Sequence, residues 1–94
     1  MPTYILLSTL TQQGVQTLKS NPERLRQVNQ DVEELGARIV AQWATLGEFD
    51  FVNVVEAPDV ATIAKVSVGL AARGSIRIET LPALPIEEFL ATLE

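Results

Sequence analysis

Two carboxylates, Glu48 and Asp50, stand two residues apart, and an arginine and a glutamate, Arg77 and Glu79, do the same. Paired carboxylates can move protons or hold a hard cation. An arginine can grip a substrate carboxylate through two parallel hydrogen bonds, and a glutamate whose pKa is raised by burial can act as a base. Each pair also has a plainer reading. Gly47-Glu48-Phe49-Asp50 has the composition of a turn. Gly47 suits a positive φ, Asp50 can accept from turn amides, and Glu48 is expected in solvent. Arg77 and Glu79 can pair with each other or across a subunit interface, which is the stronger reading. No EF-hand or comparable carboxylate motif is present, and no metal site is expected.

Other chemistry is excluded by composition. The 94 residues include no histidine and no cysteine. A serine–histidine–acid triad, a Cys–His pair, a disulfide framework, a cysteine zinc site and a histidine-ligated haem are all impossible within this chain. No cofactor is expected. Twelve acids against seven bases give a net charge of −5. The bases are scattered, which opposes nucleic-acid binding. No apolar run approaches the ~20 residues that span a bilayer. The start, Met1-Pro2-Thr3-Tyr4, has no basic region ahead of its apolar stretch and does not read as a signal peptide. The expected setting is cytoplasmic, without nucleic acid or membrane as a partner. Apolar residues at 47% and charged residues at 20% indicate a compact globular chain, expected to be a single domain over residues 1–94.

The elements that must position these residues follow from periodicity. Thr3–Thr9 reads as a strand, with Ile5, Leu6 and Leu7 apolar in succession. Thr11 is a plausible cap for a short helix carrying Val15 and Leu18. A second helix starts at Ser20-Asn21-Pro22-Glu23, capped by Asn21 or through a Ser20–Glu23 box. Its apolar stripe is Leu25, Val28, Val32 and Leu35, and Gly36 ends it. Arg38–Thr45 and Phe49–Glu56 form a hairpin. Asp59 caps a third helix, within which Gly69 is a weak point and beyond which Gly74 is the stop. Lys65 and Arg73 are expected on that helix, in solvent. Ser75–Leu81 is a fourth strand, and Pro85 opens a terminal helix. The order, strand–helix–strand–strand–helix–strand with extra short helices, is the split βαβ arrangement: an α+β, ferredoxin-like βαββαβ sandwich with an antiparallel four-stranded sheet.

Strand alternation divides the sheet residues into two sets. Ile5, Leu7, Ile39, Ala41, Trp43, Val52, Val54, Ile76 and Ile78 are nearly all apolar and are assigned to the helix-covered face. Tyr4, Leu6, Ser8, Arg38, Val40, Gln42, Phe51, Asn53, Val55, Arg77, Glu79 and Leu81 form a mixed set, assigned to the open face. A bulge in the second strand would move Trp43 to the other face. The mixed set is too apolar to face water, so a second copy of the chain is the expected cover. The polar members Tyr4, Ser8, Gln42, Asn53, Arg77 and Glu79 are then the candidate ligand-binding residues, in a pocket between the sheet and its partner.

The stretch Thr45–Val52, with Gly47, Phe49 and Asp50, resembles the signature of the GYD-domain family, named for a Gly-x-Tyr-Asp run. The resemblance extends over Tyr4–Ser8, Gly14-Val15, Ser20–Arg24, Val55–Asp59 and Arg77–Leu81. It implies the dimeric α+β barrel group of ferredoxin-like domains, and therefore homo-oligomers. Phe49 stands where the family has tyrosine. An activity needing that hydroxyl is in doubt here, whereas a packing role for the ring survives.

Three functions remain open from the sequence. The first is a homo-oligomeric domain that binds a small organic molecule. The second is a structural or assembly protein whose polar groups lock the interface. The third is a cofactor-independent enzyme of isomerase or oxygenase type with Glu79 as base, which rests on fold analogy alone.

Overall fold

The computed structural model describes Met1–Glu94. The elements are β1 (Thr3–Leu10), α1 (Gln12–Ser20), α2 (Arg24–Glu34), β2 (Arg38–Ala44), β3 (Phe51–Glu56), α3 (Val60–Ala71), β4 (Ile76–Ala83) and α4 (Ile86–Ala91). The four strands form one sheet in the order β2-β3-β1-β4, every neighbouring pair antiparallel. With the helices, this is the expected ferredoxin-like α+β sandwich.

Local chemistry accounts for most element ends. Thr11 is extended, and its hydroxyl accepts the Gly14 N–H at 3.1 Å to start α1. Gly36, at φ 103°, follows Leu35 at the end of α2, where a left-handed residue closes a helix readily only as glycine. Neither expected cap of α2 forms. Ser20 instead turns back to the α1 carbonyls of Gln16 and Thr17, and Asn21 closes α1. The two helices share this corner, so the polar residues finish the first and leave α2 starting at Glu23 without a side-chain cap. β4 runs through Pro82, which is tolerated because β4 is an edge strand.

Asp59 caps α3 as expected, accepting both the Thr62 N–H at 2.8 Å and the Thr62 hydroxyl at 2.7 Å. The side-chain hydrogen bond first, and then the backbone one, hold its carboxyl below the ordinary 3.8. A carboxyl depressed by folding stabilises the protein above its unfolded value and loses that contribution as pH falls through the folded value. The Asp59→Ala variant is therefore expected to melt below wild type by a constant margin at neutral pH. That margin should shrink as pH drops below about 4. A margin that does not change with pH would contradict the cap's ionic character.

The core lies on one side of the sheet. Tyr4, Leu6 and Val55 from the strands pack with Val32 of α2 and Ile63, Val66 and Leu70 of α3. The register places Tyr4 between Val55 and Pro82, Leu6 between Asn53 and Thr80, and Ser8 between Phe51 and Ile78. All of these side chains therefore lie on the helix-covered face. This reverses the face expected for Tyr4, Leu6, Ser8, Phe51, Asn53 and Val55. Ile5, Leu7, Val52 and Val54 move correspondingly to the open face.

The physical reason is twofold. β1 is apolar on both faces, so alternation of hydrophobicity does not mark its orientation. The polar groups taken as signs of an exposed face also tie helices to the sheet. Gln42 and Asn29 of α2 exchange amide hydrogen bonds at 2.9 and 3.1 Å. Likewise, the Ser67 hydroxyl of α3 meets that of Thr80 at 2.6 Å. In β2 a bulge between Ile39 and Ala41 shifts the alternation. It places Gln42 under α2 and turns Trp43 outward at 55% exposure, the displacement the sequence left open.

Candidate functional site

The face of the sheet opposite α1, α2 and α3 is built from alternate residues of all four strands. At its centre Ile5 pairs with Val54 and Leu7 with Val52. Ala41 and Trp43 extend it across β2, and Leu81 extends it across β4. Trp43 and Leu81 are exposed, as is Val40 at the bulge. At one end Arg38 holds Glu56 through Nε at 3.0 Å and Nη2 at 2.5 Å. The three longer helices lie on the other side: α2 against β2, α3 against β4, and α1 against β1 and α2 on the core side. The open face is therefore mixed as expected, large apolar groups with Arg38, Arg77 and Glu79 at its ends, but with different apolar members.

The terminal helix adds to it. Every residue of α4 is exposed, and Ile86, Phe89, Leu90 and Leu93 recur at spacings of three and four. Such a stripe is the apolar side of an amphipathic helix. No other element makes an extensive contact with it within its own chain.

The other end of the open face carries Arg77 and Glu79, beside Thr9 and Leu7 of β1 respectively. They border a shallow depression of about 320 Å³ with Leu7, Thr9, Glu48 and Phe49. Both are exposed, and neither has an ion-pair partner within the chain, so the expected internal salt bridge does not form. Of the six residues predicted to line one pocket, the structure brings together these two alone on the open face. Tyr4, Ser8, Gln42 and Asn53 face the helices.

The motif turn is placed here by Asp50. Its carboxylate accepts the Leu10 N–H of β1 at 2.8 Å, while its own N–H donates to the Ser8 carbonyl at 2.8 Å. Thr45 closes the loop, donating from its N–H to the Asp50 carbonyl and from its hydroxyl to the Phe49 carbonyl. Asp50 thus pins the loop to β1 rather than to the turn's own amides. Gly47 lies in open space at φ 158°. The Phe49 ring borders the depression, consistent with packing rather than proton transfer. Asp50→Ala should cost about 1.5–3 kcal/mol, the usual value of a hydrogen bond to a charged group. The Leu10 amide should then exchange much faster. An unchanged exchange rate at Leu10 would show that the loop is held by other contacts.

Sequence reasoning missed one charged group. Arg73 follows the end of α3 and is ion-paired rather than free in solvent: its Nη2 meets Asp31 of α2 at 2.5 Å, with both side chains about one-third exposed. The pairing spans 42 residues, and no local pattern announces it.

Comparison with known proteins gives three findings. The GYD domain family model matches residues 4–93. A protein of Thermus thermophilus described as "Glutamine synthetase and cystathionine beta-lyase binding protein" is 54% identical over 95 residues, covering the whole of both chains. The crystal structure of FFRP-DM1 superposes with a TM-score of 0.59 at 16% identity, covering 89% of this chain and all of the other. At that identity the likeness is one of fold.

Proposed function

This chain belongs to the GYD-domain family, and from that premise we propose that it is a protein-binding domain that pairs with a second copy of itself through the open sheet face. The observation that carries the reading is that face, with Ile5, Leu7, Trp43, Val52, Val54 and Leu81 left without a helix. Apolar surface of this extent is a mark of association. A symmetric pair is the simplest cover, because one patch then serves both partners. The α4 stripe is adjacent in sequence to β4 and enlarges the surface toward the roughly 800 Å² per partner of a stable interface.

The pair then binds other proteins. The relative named for binding glutamine synthetase and cystathionine beta-lyase supports this, and makes those two enzymes the first partners to test. Metabolic enzymes as partners also suit a cytoplasmic setting. A second, finer reading rests on the depression beside Arg77 and Glu79. A partner sheet laid over it would enclose a small organic molecule, with the arginine as its anchor.

Native mass spectrometry of the purified protein, alone and with each enzyme, tests these together. A dimer that forms a complex with at least one enzyme is the expected result. A monomer at all concentrations overturns the pairing, and no complex with either enzyme overturns the partner assignment. A dimer with no reproducible extra mass removes support for the enclosed molecule.

A further inference from the structure

We propose that the space between the sheet and helices α1 and α2 is a binding site for a small organic anion, a short carboxylate that also carries a hydrogen-bond donor. The site lies within one chain, on the opposite side of the sheet from the face that pairs in the proposed dimer. The two readings therefore fail separately.

The cavity measures about 90 Å³. On the same measure a single water needs about 10–15 Å³, so there is room for a molecule of on the order of six heavy atoms. Its walls include Leu6, Leu25, Val28, Phe51 and Ile76, which suit a short apolar body.

Asn53 and Arg73 both line this space, and each carries a buried polar atom with no partner, the Asn53 Oδ1 and the Arg73 Nη1. Native proteins leave few such atoms, because desolvating a polar group without replacing its hydrogen bonds is costly. Neighbouring polar groups do not relieve them. Asn29 and Gln42 satisfy each other in a reciprocal amide pair. Asp31 is engaged with the Arg73 Nη2, which orients the guanidinium and leaves its other arm free.

The unpartnered atoms specify complementary groups. An acceptor oxygen on Asn53 calls for a donor, and a guanidinium N–H calls for an acceptor, best an anion. Charge agrees. The chain carries a net charge of −5, yet the residues lining the cavity include two arginines, Arg24 and Arg73, and no acidic residue, the Asp31 carboxylate meeting Arg73 from outside that lining.

The test uses 2-hydroxybutyrate as probe, with butan-1-ol as the control that keeps a hydroxyl but lacks the carboxylate, titrated into the full ¹⁵N-labelled chain and followed by NMR. The expected result is a saturable shift centred on the Asn53 side-chain amide and the Arg73 guanidinium, absent with butan-1-ol. Arg73→Lys keeps the charge facing Asp31 but loses the second arm, and Asn53→Leu removes the acceptor. Each should weaken binding by roughly tenfold or more. No saturation by about 10 mM, ten times a millimolar Kd, overturns the proposal. Equal shifts from butan-1-ol overturn it too, as does unchanged affinity in both variants. If either variant fails to fold, the wild-type comparison of the two probes still decides.

Discussion

Val54→Glu is expected to yield a folded monomer. Val54 sits at the centre of the open face, paired with Ile5 on one side and Ala41 on the other. Its side chain points away from the core formed by Tyr4, Leu6, Val55 and the helices. A carboxylate there is solvated in the isolated chain and costs little. In a symmetric pair it is buried against an apolar sheet without a cation beside it. An uncompensated buried charge costs about 3–5 kcal/mol, and a symmetric interface carries two. Even one, at about 4 kcal/mol, raises the dimer Kd on the order of a thousandfold. Sedimentation should therefore show the chain mass, with circular dichroism unchanged. A variant that sediments as wild type would place the interface elsewhere and remove the role assigned to this face.

Gly14→Ala is expected to be the most damaging of the small substitutions, and Gly69→Ala to act in the opposite direction. A Cβ on Gly14 would lie 2.0 Å from the Ser75 carbonyl oxygen and 3.1 Å from Leu10 Cδ2. That carbonyl cannot readily withdraw. It accepts the Thr11 N–H at 3.0 Å, and the Thr11 hydroxyl donates to the Gly74 carbonyl at 2.7 Å beside it. The methyl group must push α1 off the start of β4, against the bonds that join them. Overpacking of this kind costs about 3 kcal/mol, and in a domain this size each kilocalorie lowers Tm by about 4–8 °C. At Gly69 the nearest atom to a new Cβ is Leu35 Cδ1 at 3.9 Å, an ordinary contact. There the gain in helix propensity should dominate, adding about 0.5–1 kcal/mol. Thermal melts of both variants check the pair. A mild Gly14→Ala would mean that the α1–β4 junction yields more easily than its hydrogen bonds imply.

The element order and the broad architecture were legible in the sequence, because they rest on local signals. The Thr11 and Asp59 caps, the α2 stripe, the Gly36 stop and the two strand runs of the hairpin each act within a few residues. The GYD resemblance was legible too, through the Thr45–Val52 segment and its neighbours, and the family match over residues 4–93 bears it out. A sheet face left uncovered by α1, α2 and α3 was also readable, since four strands with apolar residues on both faces cannot all be shielded by the helices of one βαββαβ unit.

Which residues lie on that face was decided only by the tertiary structure. In β1 and β3 both alternating sets contain large apolar groups, so either face could have met the helices. The choice was made by contacts distant in sequence: Asn29 with Gln42, Ser67 with Thr80, and the β2 bulge that turns Trp43 outward. Asn53 and Arg73, 20 residues apart in number and on different elements, face one cavity for the same reason. Periodicity reports what repeats along a chain. The sidedness of a sheet and the meeting of distant polar groups depend on packing between elements, and here packing set both.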